Sequence, residues 1–199
     1  METLGPPPDG NVTKGTTFII LATVLTSISL ITTAMRLGVR ITNRQQGWDD
    51  LTIALAMILG LVQLVFSGLQ YHAGIGRHAY YLGQTQAMDA VKWSYVAMTM
   101  FFVIVCLTKI SICLFILRIK KTGWLKWVLY TLMAGQVIAT AAPEIILFVQ
   151  CRPVRSFWDR SIGQCWDQSI YNAVVWAHFG MVTTSNCFYN GLTLCKVML

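Results

Sequence analysis

Residues 47–78 read GWDDLTIALAMILGLVQLVFSGLQYHAGIGRH. Leu51–Tyr71, 21 residues inside this stretch, carries no acidic or basic side chain and is mostly Leu, Ile, Val, Ala, Met and Phe. At about 1.5 Å per residue, a helix of that length crosses the ~30 Å hydrocarbon core of a bilayer. An open strand would leave its backbone groups unpaired in lipid. The stretch therefore predicts a membrane helix near 51–72. Gly47-Trp48-Asp49-Asp50 reads as its start. Asp49 and Asp50 sit where orphan N–H groups and the positive helix end favour carboxylates, and Trp48 sits where aromatic residues anchor at headgroup depth. A cytoplasmic docking role is the alternative for these four residues. At the far end, Gly74 and Gly76 predict an abrupt exit from the helix. His72 and His78 beside them read as turn residues, or as groups that bind a ligand or respond to acid.

The same pattern recurs along the chain. Gly15–Met35 is 21 residues without charge, and Gln168–Cys195 is 28. Trp93–Thr108 resumes after Lys109, and Trp127–Pro143 resumes after Glu144. Five membrane helices are expected, near 16–36, 51–72, 93–118, 127–150 and 168–195, behind an extracellular tail, 1–15. The fold class is all-α, a polytopic transmembrane bundle. Composition agrees: of 199 residues 55% are hydrophobic and 12% charged, with mean hydropathy +0.59. Soluble domains carry about twice that charge, and disordered chains are both more charged and less apolar.

The net charge of +7 would suggest nucleic acid in a soluble protein, but its distribution points elsewhere. With the N-terminus outside, the inner segments hold Arg36, Arg40, Arg44, Arg118, Lys120, Lys121, Lys126 and Lys196 against Asp49 and Asp50. The outer segments are nearly balanced: Lys14, Arg77, Lys92, Arg152, Arg155 and Arg160 face Glu2, Asp9, Asp89, Asp159 and Asp167. This bias predicts an outside N-terminus, a multi-pass location in the plasma membrane or another secretory-pathway membrane, and no nucleic-acid partner. Asn11-Val12-Thr13 is a glycosylation candidate in the outer tail. Six of the seven tryptophans flank helix ends; Trp176 lies within a span. Arg36, Arg40 and Arg44 recur every fourth residue and read as one helix face that meets phospholipid headgroups or a partner. The segments 36–50 and 118–126 are the candidate surfaces for a cytoplasmic partner.

Charged residues inside a span are costly and usually functional. Lys109 and Glu144 differ by about 12 Å in depth at 1.5 Å per residue, so no direct pair is expected. Lys109 is expected to snorkel inward or to meet a buried carbonyl or hydroxyl, and Glu144 to face an outer cavity. Pro143 removes a backbone donor and frees a carbonyl one turn earlier, which predicts a kink beside Glu144. The fifth span carries Asn172, His178, Thr183, Thr184, Ser185, Asn186 and Asn190, so one of its sides must face protein or water. Cys151 and Cys165, with thirteen residues between them in the fourth loop, are the candidate disulfide; two free thiols are the alternative. The other cysteines read as buried apolar residues. No Cys or His spacing suggests a metal.

The ordered set Gly47-Trp48-Asp49-Asp50, Gly74-Ile75-Gly76-Arg77-His78, Lys109-Ile110-Ser111 with Arg118, and Cys151-Arg152-Pro153-Val154…Trp158-Asp159…Gly163-Gln164-Cys165 resembles the fungal rhodopsin-domain family over roughly 16–195. The resemblance implies a receptor-like seven-helix bundle of filamentous fungi with an outside N-terminus. Some members are linked to pathogenicity signalling and others sit with secondary-metabolite gene clusters. Family members usually carry Asn-x-x-x-Asp in the fifth helix, where this chain has Asn186 to Asn190. Relative to that architecture the sequence reads as C-terminally truncated, two helices short, and so as a candidate non-signalling form. Retinal is not expected, because its Schiff-base Lys belongs to the last helix. Nor is an enzyme expected, for want of a nucleophile–base pair or cofactor fingerprint. The candidate polar residues for a small-molecule ligand in the bundle are Lys109, Ser111, Glu144, His178, Asn186 and Asn190. Alternatives are a transporter or channel, with Glu144 and the Pro143 kink along a path, and an accessory membrane protein of a secondary-metabolite cluster.

Overall fold

The computed structural model describes residue 13 and residues 15–44, 47–78, 81–119 and 123–197, with side chains except at 168 and 188–197. Asn11, Lys14, Lys120, Lys121 and the side chains of Asn190 and Lys196 lie outside the described residues. Among the described residues five α-helices form: α1 (Gly15–Thr42), α2 (Trp48–His72), α3 (Gln84–Ile119), α4 (Gly123–Val149) and α5 (Gln168–Val197). Each holds the charge-free run predicted for it, and several outrun it. The helix α3 begins nine residues before Trp93 and keeps Asp89 and Lys92 on its first turns. Charge marks where the hydrocarbon ends, not where helical hydrogen bonding ends. Likewise α1 continues past Arg36 through Arg40. It stops at Thr42, and Arg44 falls in the turn beyond with a positive φ of 51°. The expected three-arginine face therefore comprises two helical arginines.

Consecutive helices pack against each other, most extensively α2 on α3. Named contacts fix the directions. The hydroxyls of Thr16, at the start of α1, and Tyr71, at the end of α2, are 3.3 Å apart. Gln70 donates to the Trp93 carbonyl across α2 and α3, and Tyr95 donates to the Leu147 carbonyl across α3 and α4. Neighbours are thus antiparallel and the bundle runs up and down. One end gathers the end of α1, the start of α2, the end of α3 and the start of α4. The other gathers the start of α1, the end of α2, the start of α3, the end of α4 and the start of α5.

Among the described residues, four helices, α1 to α4, are long and apolar enough to cross a membrane. At 30 residues α5 is long enough, but its polar side chains lower its hydropathy. On α1 only Gly15 is buried, while Ile20, Leu25, Ile28, Ile31 and Met35 are exposed. An apolar exterior of this extent matches lipid and would be a liability in water.

The core has two apolar ends. Cys113, Leu125 and Leu129 pack together between α3 and α4 at the first end. Tyr95, Leu147 and Tyr171 pack at the second. There the loop between α4 and α5 is a small hairpin. Strands β1 (Cys151–Arg152) and β2 (Gln164–Cys165) pair antiparallel with Cys151 opposite Cys165, and a disulfide joins them. Phe157 and Trp158 set their rings edge-on to Tyr95, which seats the hairpin on α3. Strands of two residues are too short for alternation to reveal, and none was expected here.

The exit from α2 shows why glycine stands at 74. The N–H of Gly74 reaches the Tyr71 carbonyl and the N–H of Ile75 reaches the Gln70 carbonyl, the paired bonds of a Schellman cap. Gly74 has φ +92°. Gly74→Val is expected to destabilise the bundle by about 1–2 kcal/mol, because a side chain is strained in that region. Thermal unfolding of the purified variant checks this; an unchanged midpoint would contradict it.

Candidate functional site

Two polar constructions stand out in an otherwise apolar molecule. The first is a charge cluster at the end where α1, α2 and α3 meet. Asp49 and Asp50 open α2, and both are almost fully buried. Asp50 accepts the Gly47 N–H at 3.2 Å, the helix-capping role expected of it. Each carboxylate also meets arginines. Arg40 reaches Asp49 at 2.5 Å and Asp50 at 2.9 Å, in both cases through Nη1. Arg36 reaches Asp49 at 2.9 Å, and Arg118, from the end of α3, reaches Asp49 at 3.3 Å. The Phe115 ring lies beneath the Arg36 and Arg40 guanidiniums, at 4.8 and 5.3 Å from its centroid. Ser111 donates to the Asp49 backbone carbonyl at 2.8 Å. A Cβ on Gly47 would stand 2.8 Å from Arg118 Nη1, so a side chain there crowds the cluster. Three helices are thereby tied at one point. Trp48 points away and is 76% exposed.

The second construction is a polar seam between the two apolar ends. Gln136, Thr140 and Glu144 are spaced by four along α4 and share one face. Gln136 is 1% exposed, and its Nε2 donates to the Thr140 hydroxyl at 3.4 Å. The Thr140 hydroxyl also meets the Cys106 thiol of α3. From α5, His178, 2% exposed, places Nδ1 at 3.1 Å from the Ala139 carbonyl. That carbonyl lies four residues before Pro143, which has no N–H to offer it. The helix α4 continues through Pro143, and His178 supplies the missing donor. A carbonyl can only accept, so Nδ1 carries a proton; whenever the ring holds that proton alone, Nε2 is an acceptor. Phe102 of α3 packs edge-on against the same ring.

Three buried acceptor atoms on this seam have no hydrogen-bond partner among the described residues: Gln136 Oε1, His178 Nε2 and Glu144 Oε1. Tyr95 and Tyr171 lie within electrostatic reach of Glu144. Lys109, 6% exposed, faces α5 and donates to the side-chain carbonyl of Asn186. So Lys109 turns to Asn186, while Glu144 lies near Tyr95 and Tyr171, and no ion pair between the two is among the described contacts. Ser111, two residues along α3, belongs to the charge cluster and not to the seam.

The remaining sequence candidates sit at the second end. Gly74 and Gly76, φ +92° and +84°, shape the turn that carries His78. Pro153 precedes the single helical turn that positions Trp158 in the hairpin. Between this hairpin and the first turns of α3 lies a cleft of about 970 Å³ whose lining includes Met88, Val91, Trp158, Arg160 and Trp166. The pairing of Arg36, Arg40 and Arg118 with the two aspartates was not foreseen from the sequence. Its one available signal was two buried-type acids at a helix start flanked by an excess of arginine. No group of His, Cys, Asp or Glu able to hold a metal ion occurs among the described residues.

An antiparallel bundle of apolar helices, tied by ionic contacts at one end and by a disulfide hairpin at the other, defines an integral membrane protein of the polytopic helical class. The profile of the fungal rhodopsin domain matches residues 35–188, and the chain belongs to that family. Searches of curated proteins and of solved structures find no match. The matched region contains both constructions.

Proposed function

We propose that this protein is receptor-like and binds a small polar molecule in the seam between α3, α4 and α5. One observation carries the reading: three acceptors, Gln136 Oε1, His178 Nε2 and Glu144 Oε1, are buried and unpaired among the described residues. A buried acceptor left unpaired costs about 1–3 kcal/mol, so a guest that donates hydrogen bonds recovers that cost. Such a guest presents hydroxyl or amine groups. An outside N-terminus supports entry from the hairpin side, because Arg36, Arg40, Arg44, Arg118 and Lys126 all gather at the opposite end. We assign the seam binding rather than catalysis. Retinal is not the expected guest in this reading, because its Schiff-base Lys belongs to the last helix of a seven-helix bundle.

The test is a thermal-shift screen of the protein in nanodiscs against small polyols and amines. A compound at a hundred times its Kd stabilises its target by about 2.7 kcal/mol. At least one is expected to raise the melting temperature of the wild type but not of Gln136→Leu or His178→Phe. If no compound does so, and both apolar variants melt above the wild type, the seam is polar glue between helices and the reading fails.

A further inference from the structure

The cleft under the hairpin is distinct from the seam. Its volume, about 970 Å³, is near the top of the range for small-molecule sites. Gln84 and Met88 form part of its wall, and Gln84 stands about 13 Å beyond Trp93 along α3. Asp89 and Lys92 lie between, so the cleft is on the water side of the hydrocarbon edge and its guest arrives from water. Cys151 and Cys165, both in the lining, are joined by the disulfide, which holds the wall in shape. The polar groups here are of both kinds. Gln150, 5% exposed, lines the cleft, and its Nε2 is buried without a hydrogen-bond partner among the described residues. Arg160 adds further donors. Asp159 and Asp167 add acceptors. Oδ1 of Asp159 is taken up by Ser161 and Oδ1 of Asp167 by the Ser169 N–H, while their Oδ2 atoms make no hydrogen bond among the described residues. Trp158 and Trp166 bring apolar ring surface to the same cleft. A hydrocarbon guest would leave these polar groups unmet, an anion would face two carboxylates, and a cation would face Arg160. A sugar meets all of them, because each hydroxyl both donates and accepts and the ring faces are lined with C–H groups.

From this we infer that the cleft between the hairpin and the first turns of α3 binds a short, uncharged saccharide. Its hydroxyls pair with the Gln150 amide, Arg160 and the Oδ2 atoms of Asp159 and Asp167, and one sugar ring lies against Trp166. This site is separate from the seam and does not depend on the receptor reading. Saturation-transfer NMR titrations of the protein in nanodiscs test it, with trisaccharides of glucose, mannose and N-acetylglucosamine as probes and trialanine as the control. At least one trisaccharide is expected to take up saturation from the protein. Trp166 is 52% exposed, so Trp166→Ala is expected to melt with the wild type and to bind that trisaccharide about tenfold more weakly, the loss of one good aromatic contact. Gln150→Leu keeps the side-chain size and removes the amide. It is expected to melt no lower than the wild type, because an unpaired buried donor is gone, and to bind about fivefold more weakly. No transfer to any of the three trisaccharides overturns the proposal, and so does an affinity unchanged in either variant. Transfer to trialanine equal to that to the sugar also overturns it. A response lost in Gln136→Leu and kept in Trp166→Ala would place the sugar in the seam and overturn it as well.

Discussion

Replacing Asp49 with alanine is expected to cost about 2–4 kcal/mol and to lower the melting temperature by roughly 5–10 °C. The carboxylate is 3% exposed and accepts from three guanidiniums on two other helices. Removing it leaves three positive charges around Asp50 alone. The loss falls below the 3–5 kcal/mol typical of a fully buried pair, because Arg36 and Arg118 keep 30% and 38% of their side chains exposed. Asp49→Asn keeps the shape and the helix start while removing the charge, and it is expected to lose most of the same stability. A double-mutant cycle with Arg40→Ala separates the pair from its surroundings: the double variant should be more stable than the two single losses imply. Melting temperatures that stay at the wild-type value in both aspartate variants would show that the cluster does not hold α1, α2 and α3 together.

The second large effect is expected at the hairpin. Cys151 and Cys165 are 14 residues apart, and a loop of that size closed by a disulfide stabilises by about 3 kcal/mol. The double variant Cys151→Ser, Cys165→Ser is expected to lose about that amount. It should also free Phe157 and Trp158 from Tyr95, so tryptophan fluorescence should change alongside the melting temperature. Reductant is expected to lower the wild-type melting temperature and to leave the double variant where it is. An equal response of the two proteins to reductant would assign the effect elsewhere.

The five helices were legible because a bilayer sets one length scale, and runs such as Leu51–Tyr71 meet it without interruption. Their ends were less so. Charges at Asp89, Lys92 and Arg40 mark the edge of the hydrocarbon, while the helices carrying them continue. The charge cluster was out of reach for a different reason. Asp49 alone explains itself as a helix-start residue and Arg36 alone as a headgroup contact. Their meeting depends on how three helices pack, and local periodicity holds no record of that. The seam was half visible. Pro143 announced a freed carbonyl, and the polar fifth helix announced a need for partners. That His178 answers Ala139 follows only once α5 lies antiparallel beside α4. Lys109 and Glu144 were separable by depth from the start, yet the choice of Asn186 as the lysine's acceptor again belongs to the packing.

The most direct measurement is an electron cryo-microscopy map of the full chain in nanodiscs, at a resolution that shows ordered waters. Non-protein density larger than a water, in hydrogen-bonding contact with Gln136 Oε1 and His178 Nε2, is the expected result. A map in which these two atoms pair with protein groups or with single waters would contradict a ligand site in the seam.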